Sequence, residues 1–217
     1  MLTNIKAAIF DLDGTLIDSM WVWNKIDENY FKCRNITIPK DLKSQIEHLS
    51  FDETAAYFKN NFGILDTIDE IKKEWNDFAY NQYLNHVKLK PGVVEFLTLL
   101  KTMNIKIGLA TSNSRSLLEV VLKSNGIYHY FDSITLTDEV SRGKNFPDVY
   151  LLAADKLGVK PEQCVVFEDI LPAVKGAKAA GMKMVAVYDS SSNDQKEDII
   201  TNSDMYILEY NELITAI

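Results

Sequence analysis

Asp11 and Asp13 fall in the run Ile9-Phe10-Asp11-Leu12-Asp13-Gly14-Thr15-Leu16, where an apolar segment breaks into a glycine turn. No fold needs two carboxylates at such a point, and the carboxyl end of a strand is where open α/β sheets place their ligands. Three further groups also come after short strand-like runs, the second of them beyond a polar loop. They are Thr111, Ser112 and Asn113 after Ile107-Gly108-Leu109-Ala110, Lys144 in Gly143-Lys144-Asn145-Phe146-Pro147-Asp148, and Glu168-Asp169 after Val165-Val166-Phe167. Hydroxyls and backbone N–H groups at a helix start attract anions, phosphate above all, and two acids at a strand end suggest a bound cation. Taken singly, each also has a plain structural account: Ser and Asn cap helices, a lone lysine is usually a solvated charge, and loop acids escape desolvation when exposed.

The elements that must position these groups can be read from the pattern around them. Ile5 to Phe10 forms a short buried strand. From Lys90 onward strands and helices alternate: helices over Pro91 to Met103, Arg115 to Ser124, Pro147 to Leu157 and Ala173 to Ala180, and strands over Ile105 to Ala110, Ser133 to Leu136, Cys164 to Phe167 and Lys183 to Val187. This alternation predicts an α/β fold with a Rossmann-like, doubly wound parallel sheet. Residues Trp21 to His86 show helical spacing and no convincing strand. The expected division is an α/β core of residues 1–17 and 88–217 with a small helical insert, 18–87, above the edge that carries Asp11 and Asp13. The polar stretch Asp189 to Asp198 is expected as a surface loop opening a late helix.

In a parallel sheet the strand ends open on one edge, which is where such folds bind ligands. Asp11, Asp13, Thr111, Lys144, Glu168 and Asp169 can then converge in one crevice. Carboxylates there, with an incoming phosphate, repel by roughly 4 kcal/mol per pair at ~4 Å and an effective dielectric of ~20. One lysine cannot offset that, but a divalent ion can, and an all-oxygen set suits Mg²⁺.

Length and composition set the bounds. With 217 residues, 47% hydrophobic, the chain can bury a core for one large domain and a small accessory one. Its 23 basic and 31 acidic residues, net charge -8, argue against a nucleic-acid or anionic-membrane partner. Cys33 and Cys164 match no zinc spacing and are expected as buried free thiols. No apolar run is long enough for a signal peptide or a membrane span, so a cytoplasmic location is the expectation; oligomeric state is not legible in the sequence, and a monomer is the default.

The four segments, in this order, resemble the haloacid dehalogenase superfamily of phosphotransferases, in its β-phosphoglucomutase-like and phosphatase subgroup with a helical cap. Asp11-Leu12-Asp13-Gly14-Thr15 is similar to its first motif, Thr111 to its second, Lys144 to its third and Glu168-Asp169 to its fourth. The resemblance implies that Asp11 becomes an aspartyl phosphate and that Asp13 acts as acid and base, with its backbone carbonyl on Mg²⁺. It implies that Thr111, Ser112, Asn113 and Lys144 hold the phosphate, and that Asp11, Asp13, Glu168 and Asp169 hold the metal. The substrate implied is a small phosphomonoester such as a sugar phosphate. Ile170, Ala173 and Asn145 depart from the usual pattern in the packing of loops. Asp13 argues against a dehalogenase. A β-phosphoglucomutase-type mutase is the second reading, although the positions where it looks to use a cap histidine and arginine carry Trp23 and Phe51; a non-catalytic phosphate-binding module is the third. Trp21, Trp23, Lys25 and His48 are candidates to line the insert's side of the site, with the tryptophans expected to pack the insert's own core and His48 to lie at the surface.

Overall fold

The computed structural model describes residues 4–214. Strands β1 (Ala7–Phe10), β4 (Lys106–Thr111), β5 (Ser133–Leu136), β6 (Cys164–Glu168), β7 (Lys183–Val187) and β8 (Met205–Ile207) form one sheet in the order β5-β4-β1-β6-β7-β8. Every neighbouring pair in it is parallel. Parallel strands are covered on both faces, so they read as unbroken apolar runs, and β1 is buried at all four positions.

Successive residues nevertheless serve opposite faces. Ala8 and Phe10 join Leu109 and Phe167 in the layer beneath helices α5 (Val93–Thr102) and α6 (Arg115–Ser124), with α10 (Asn211–Ile214) at its edge. Ala7 and Ile9 join Val166 and Ala186 against α7 (Asp148–Leu157), α8 (Leu171–Ala179) and α9 (Lys196–Asn202).

Two further strands, β2 (Ile17–Asp18) and β3 (Lys88–Leu89), pair antiparallel. Between them run helices α1 (Met20–Cys33), α2 (Leu42–Ile46), α3 (Phe51–Asn61) and α4 (Ile68–Asn85). Capping boxes, Ser50 with Glu53 and Thr67 with Glu70, fix the starts of α3 and α4. Tyr30, Phe58 and Trp75 pack edge to face between these helices, with centroids 4.9 to 5.7 Å apart.

Two expectations are corrected. Cys33 is exposed while Cys164 is buried. The stretch after Asp189 is not simply a surface loop: Asp189 is buried and paired with Lys90 at 2.9 Å, and Ser192 is buried behind it. Among the described residues no helix is long and apolar enough to cross a membrane.

Candidate active site

Register carries the key groups to one edge. Phe10 of β1 aligns with Leu109 of β4 and Phe167 of β6, so Asp11, Thr111, Glu168 and Asp169 emerge side by side. The Asp11 N–H bonds the Phe167 carbonyl at 3.0 Å, extending the ladder by one residue. Lys144 comes from the loop before α7. Its ammonium donates to Asp11 Oδ1 and, at 2.7 Å, to Glu168 Oε1. Tyr150 on α7 donates to the same Glu168 oxygen at 2.8 Å, and Thr15 donates to Asp169 Oδ1 at 3.0 Å.

Two glycines permit this closeness. Gly14 has φ +77°, and a Cβ there would stand 2.3 Å from Asp169 Oδ2. On α8, a Cβ at Gly176 would stand 2.0 Å from the Lys144 carbonyl oxygen.

Ligand atoms of Asp11, Glu168 and Asp169 lie within 4.8 Å of one another, and all three residues are buried. Burial, then the neighbouring Glu168, raises the Asp11 carboxyl well above its ordinary range, with Lys144 offsetting only part. The same two causes push Asp169 up to about 8. Burial alone would lower the Lys144 ammonium, but Asp11 and Glu168 outweigh it and keep the lysine charged. Three carboxylates thus crowd one bridging ammonium, with the Lys90 charge acting on Asp169 from further off. Glu168 Oε2 and Asp169 Oδ2 are buried with no partner among the described residues. Buried unpaired carboxylate oxygens are strongly unfavourable, and these, aimed into an all-oxygen cluster, fit a hard divalent cation.

Asp13 stands outside that cluster. Its Oδ1 accepts from Ser19 at 2.6 Å, from Trp23 Nε1 at 3.3 Å and from the Tyr83 hydroxyl, and its Oδ2 accepts from Asn113 Nδ2 at 2.7 Å. Asn113, expected among phosphate ligands, therefore spends its amide on Asp13. Thr111 Oγ1 accepts from the Asn113 N–H at 3.0 Å, and the buried Ser112 hydroxyl has no partner. Ser114, not the three residues before it, caps α6 through the Leu117 N–H.

The cavity over these groups, about 450 Å³, is walled by Trp23, Phe51 and Trp75. Trp23 packs edge-on against Phe51 and Tyr83, as a core residue does, yet it also reaches Asp13. Trp21 bonds the Asp18 carbonyl and carries Lys25 over its ring, and neither lines the cavity. His48 contributes its backbone: its carbonyl accepts from the Lys144 N–H at 2.9 Å. Thr15, Ser19, Tyr83 and Tyr150 were not anticipated from sequence. Thr15 lay within the quoted motif, whereas a buried tyrosine on a helix reads as core.

Residues 8–187 match the family described as haloacid dehalogenase-like hydrolase. A phosphorylated carbohydrates phosphatase of Thermotoga maritima is 32% identical over 196 residues, covering 88% of this chain and 89% of that protein. CbbY from Rhodobacter sphaeroides, solved in complex with phosphate, overlays with a TM-score of 0.84 at 22% identity across 96% of each chain. A β-phosphoglucomutase from Clostridium difficile overlays with a TM-score of 0.80 at 24% identity, across 96% of this chain and 93% of that one. At these two identities the likeness speaks for the fold, while the family match spans most of the sequence. With its strand-end acids, its bridging lysine and this match, the chain belongs to the haloacid dehalogenase-like hydrolases.

Proposed function

We propose that this chain hydrolyses the phosphate monoesters of small metabolites, sugar phosphates among them, through a phosphorylated Asp11. The observation that carries the reading is the Lys144 ammonium held between Asp11 and Glu168. It sets a cation beside the carboxylate read as the nucleophile and would lower the repulsion between two anions.

An Asp11 carboxylate oxygen bonds to phosphorus as the ester P–O bond breaks, and Asp13 gives its proton to the departing alkoxide. Asp13 then takes a proton from water, whose oxygen bonds to phosphorus. The Asp11–phosphorus link breaks, and inorganic phosphate leaves. Thr111, the Ser112 hydroxyl and nearby backbone N–H groups hold the phosphoryl oxygens. The carboxylates of Asp11, Glu168 and Asp169, with the backbone carbonyl of Asp13, would hold Mg²⁺, which supplies positive charge to the phosphoryl group. Residues 18–87 act as a cap over a core of 1–17 and 88–217, closing the reaction against water.

The Thermotoga phosphatase supports the choice of phosphorylated carbohydrates as substrates. A mutase must grip a second phosphate. Trp23 and Phe51, at the positions where the mutases look to use a histidine and an arginine, present rings to the cavity and offer a second phosphate no cation.

The test is phosphate release from para-nitrophenyl phosphate with and without Mg²⁺, in the native chain and in Asp11→Asn. Turnover is expected to need both the ion and Asp11; activity that survives Asp11→Asn discards the mechanism. With β-glucose 1-phosphate and a trace of the bisphosphate, free phosphate is expected. Glucose 6-phosphate with little free phosphate identifies a mutase.

A further inference from the structure

Helix α1 brings Trp23 to Asp13 and, one turn later, brings Asp27 to the same cavity. Four residues along a helix advance about 6 Å, so Asp27 stands about that far along the α1 axis from Trp23 and lines the cavity that also holds Asp11 and Asp13. It is partly buried and, among the described residues, takes no hydrogen bond and no ion pair. The cavity that Asp27 lines also carries Ile38, Leu42 and Trp75; of its polar groups, the Glu47 carboxylate is occupied by Gln195 at 2.8 and 2.9 Å, and the Lys43 ammonium is held by Ser191 and Asp194. Lys40, at the rim, is exposed. Burial raises the Asp27 carboxyl to about 7. A polar group set in an apolar wall without a partner is unfavourable until something supplies one.

We propose that Asp27 reads the alcohol half of the substrate, accepting a hydrogen bond from one of its hydroxyls and turning away leaving groups that end in a carboxylate or a second phosphate. This rests on the phosphatase reading and adds the class of ester: uncharged sugar or polyol alcohols that carry a hydroxyl to Asp27. An anion at the far end would meet the Asp27 carboxylate, while the Lys40 ammonium, unpaired among the described residues, stands in solvent, where its charge is screened.

A matched pair isolates the effect. Glucitol 6-phosphate and 6-phosphogluconate share chain length and phosphate position and differ at the far carbon, hydroxymethyl in one and carboxylate in the other. Their kcat/KM values are measured with Mg²⁺ in the native protein, Asp27→Asn and Asp27→Lys, each shown to melt cooperatively. The native protein is expected to favour the glucitol ester at least about tenfold, Asp27→Asn to shrink the ratio about tenfold, and Asp27→Lys to reverse it. If neither ester turns over, inhibition constants against para-nitrophenyl phosphate are compared and the same ratios are expected. A native ratio within twofold of unity, or one that neither variant moves, overturns the proposal. If hydrolysis remains dependent on Asp11, that result removes the role of Asp27 alone; if no ester is hydrolysed through Asp11, the phosphatase reading falls with it.

Discussion

Asp13 has both carboxylate oxygens occupied, and three of the donors, Ser19, Trp23 and Tyr83, come from the segment between β1 and β3. Tyr83 is buried, and burial followed by the charge of Asp13 raises its hydroxyl well above the usual tyrosine range, so it remains a donor at every working pH. It touches Asp13 and not the reacting atoms, which makes it a positioning residue. In Tyr83→Phe the ring still packs against Trp23, but the acid loses one of its guides. The kcat/KM for an alkyl ester such as glucitol 6-phosphate is expected to fall about tenfold, a fraction of what full proton transfer contributes. For para-nitrophenyl phosphate, whose leaving group departs without a proton, the fall should be under twofold. Equal losses on both esters would assign Tyr83 a purely structural role.

At the scale of elements, the loop bearing Lys144 is seated by α8. Gly176→Ala gains about 1 kcal/mol of helix propensity, but its new methyl would sit 2.0 Å from the Lys144 carbonyl oxygen. Relieving that overlap costs about 1–3 kcal/mol, so a net loss of stability is expected in urea unfolding, together with weaker turnover as the ammonium is pulled from Asp11. Unchanged activity would show that the loop yields freely. The strands beneath that loop were legible in the sequence because parallel strands covered on both faces leave continuous apolar runs, and the polar residues that end β1, β4 and β6 became the site. What escaped did so for physical reasons. β2 and β3 have two residues each and β8 has three, too few to show a period. Trp23 and Tyr83 escaped because an aromatic ring on a helix has the same spacing whether its polar tip is idle or reaches a catalytic group. Cys33 looked buried beside Tyr30 and Phe31, yet two residues past Phe31 the helix has turned its side chain toward the opposite face.

For the molecule as a whole, three buried acids against one ammonium tie stability to pH and to metal. In the metal-free protein Asp11 and Asp169 are raised, Asp169 from 3.8 to about 8. Between those values the folded chain binds more protons than the unfolded chain, so stability is fullest below about pH 4 for these groups and is lost as pH climbs through about 8. Thermal melts in chelator should therefore show this contribution draining away across that window. Added Mg²⁺ should raise the melting temperature more at pH 8 than at pH 5, where protonated carboxyls compete with the ion. A larger shift at pH 5 would contradict the ligand set. The two cysteines add a different consequence. Cys164 is buried and its thiol is raised to about 11, while Cys33 lies open at the end of the helix that carries Trp23 and Asp27. A maleimide dye should thus couple once per chain with no engineering, and its emission would register in real time whatever that helix does when an ester arrives.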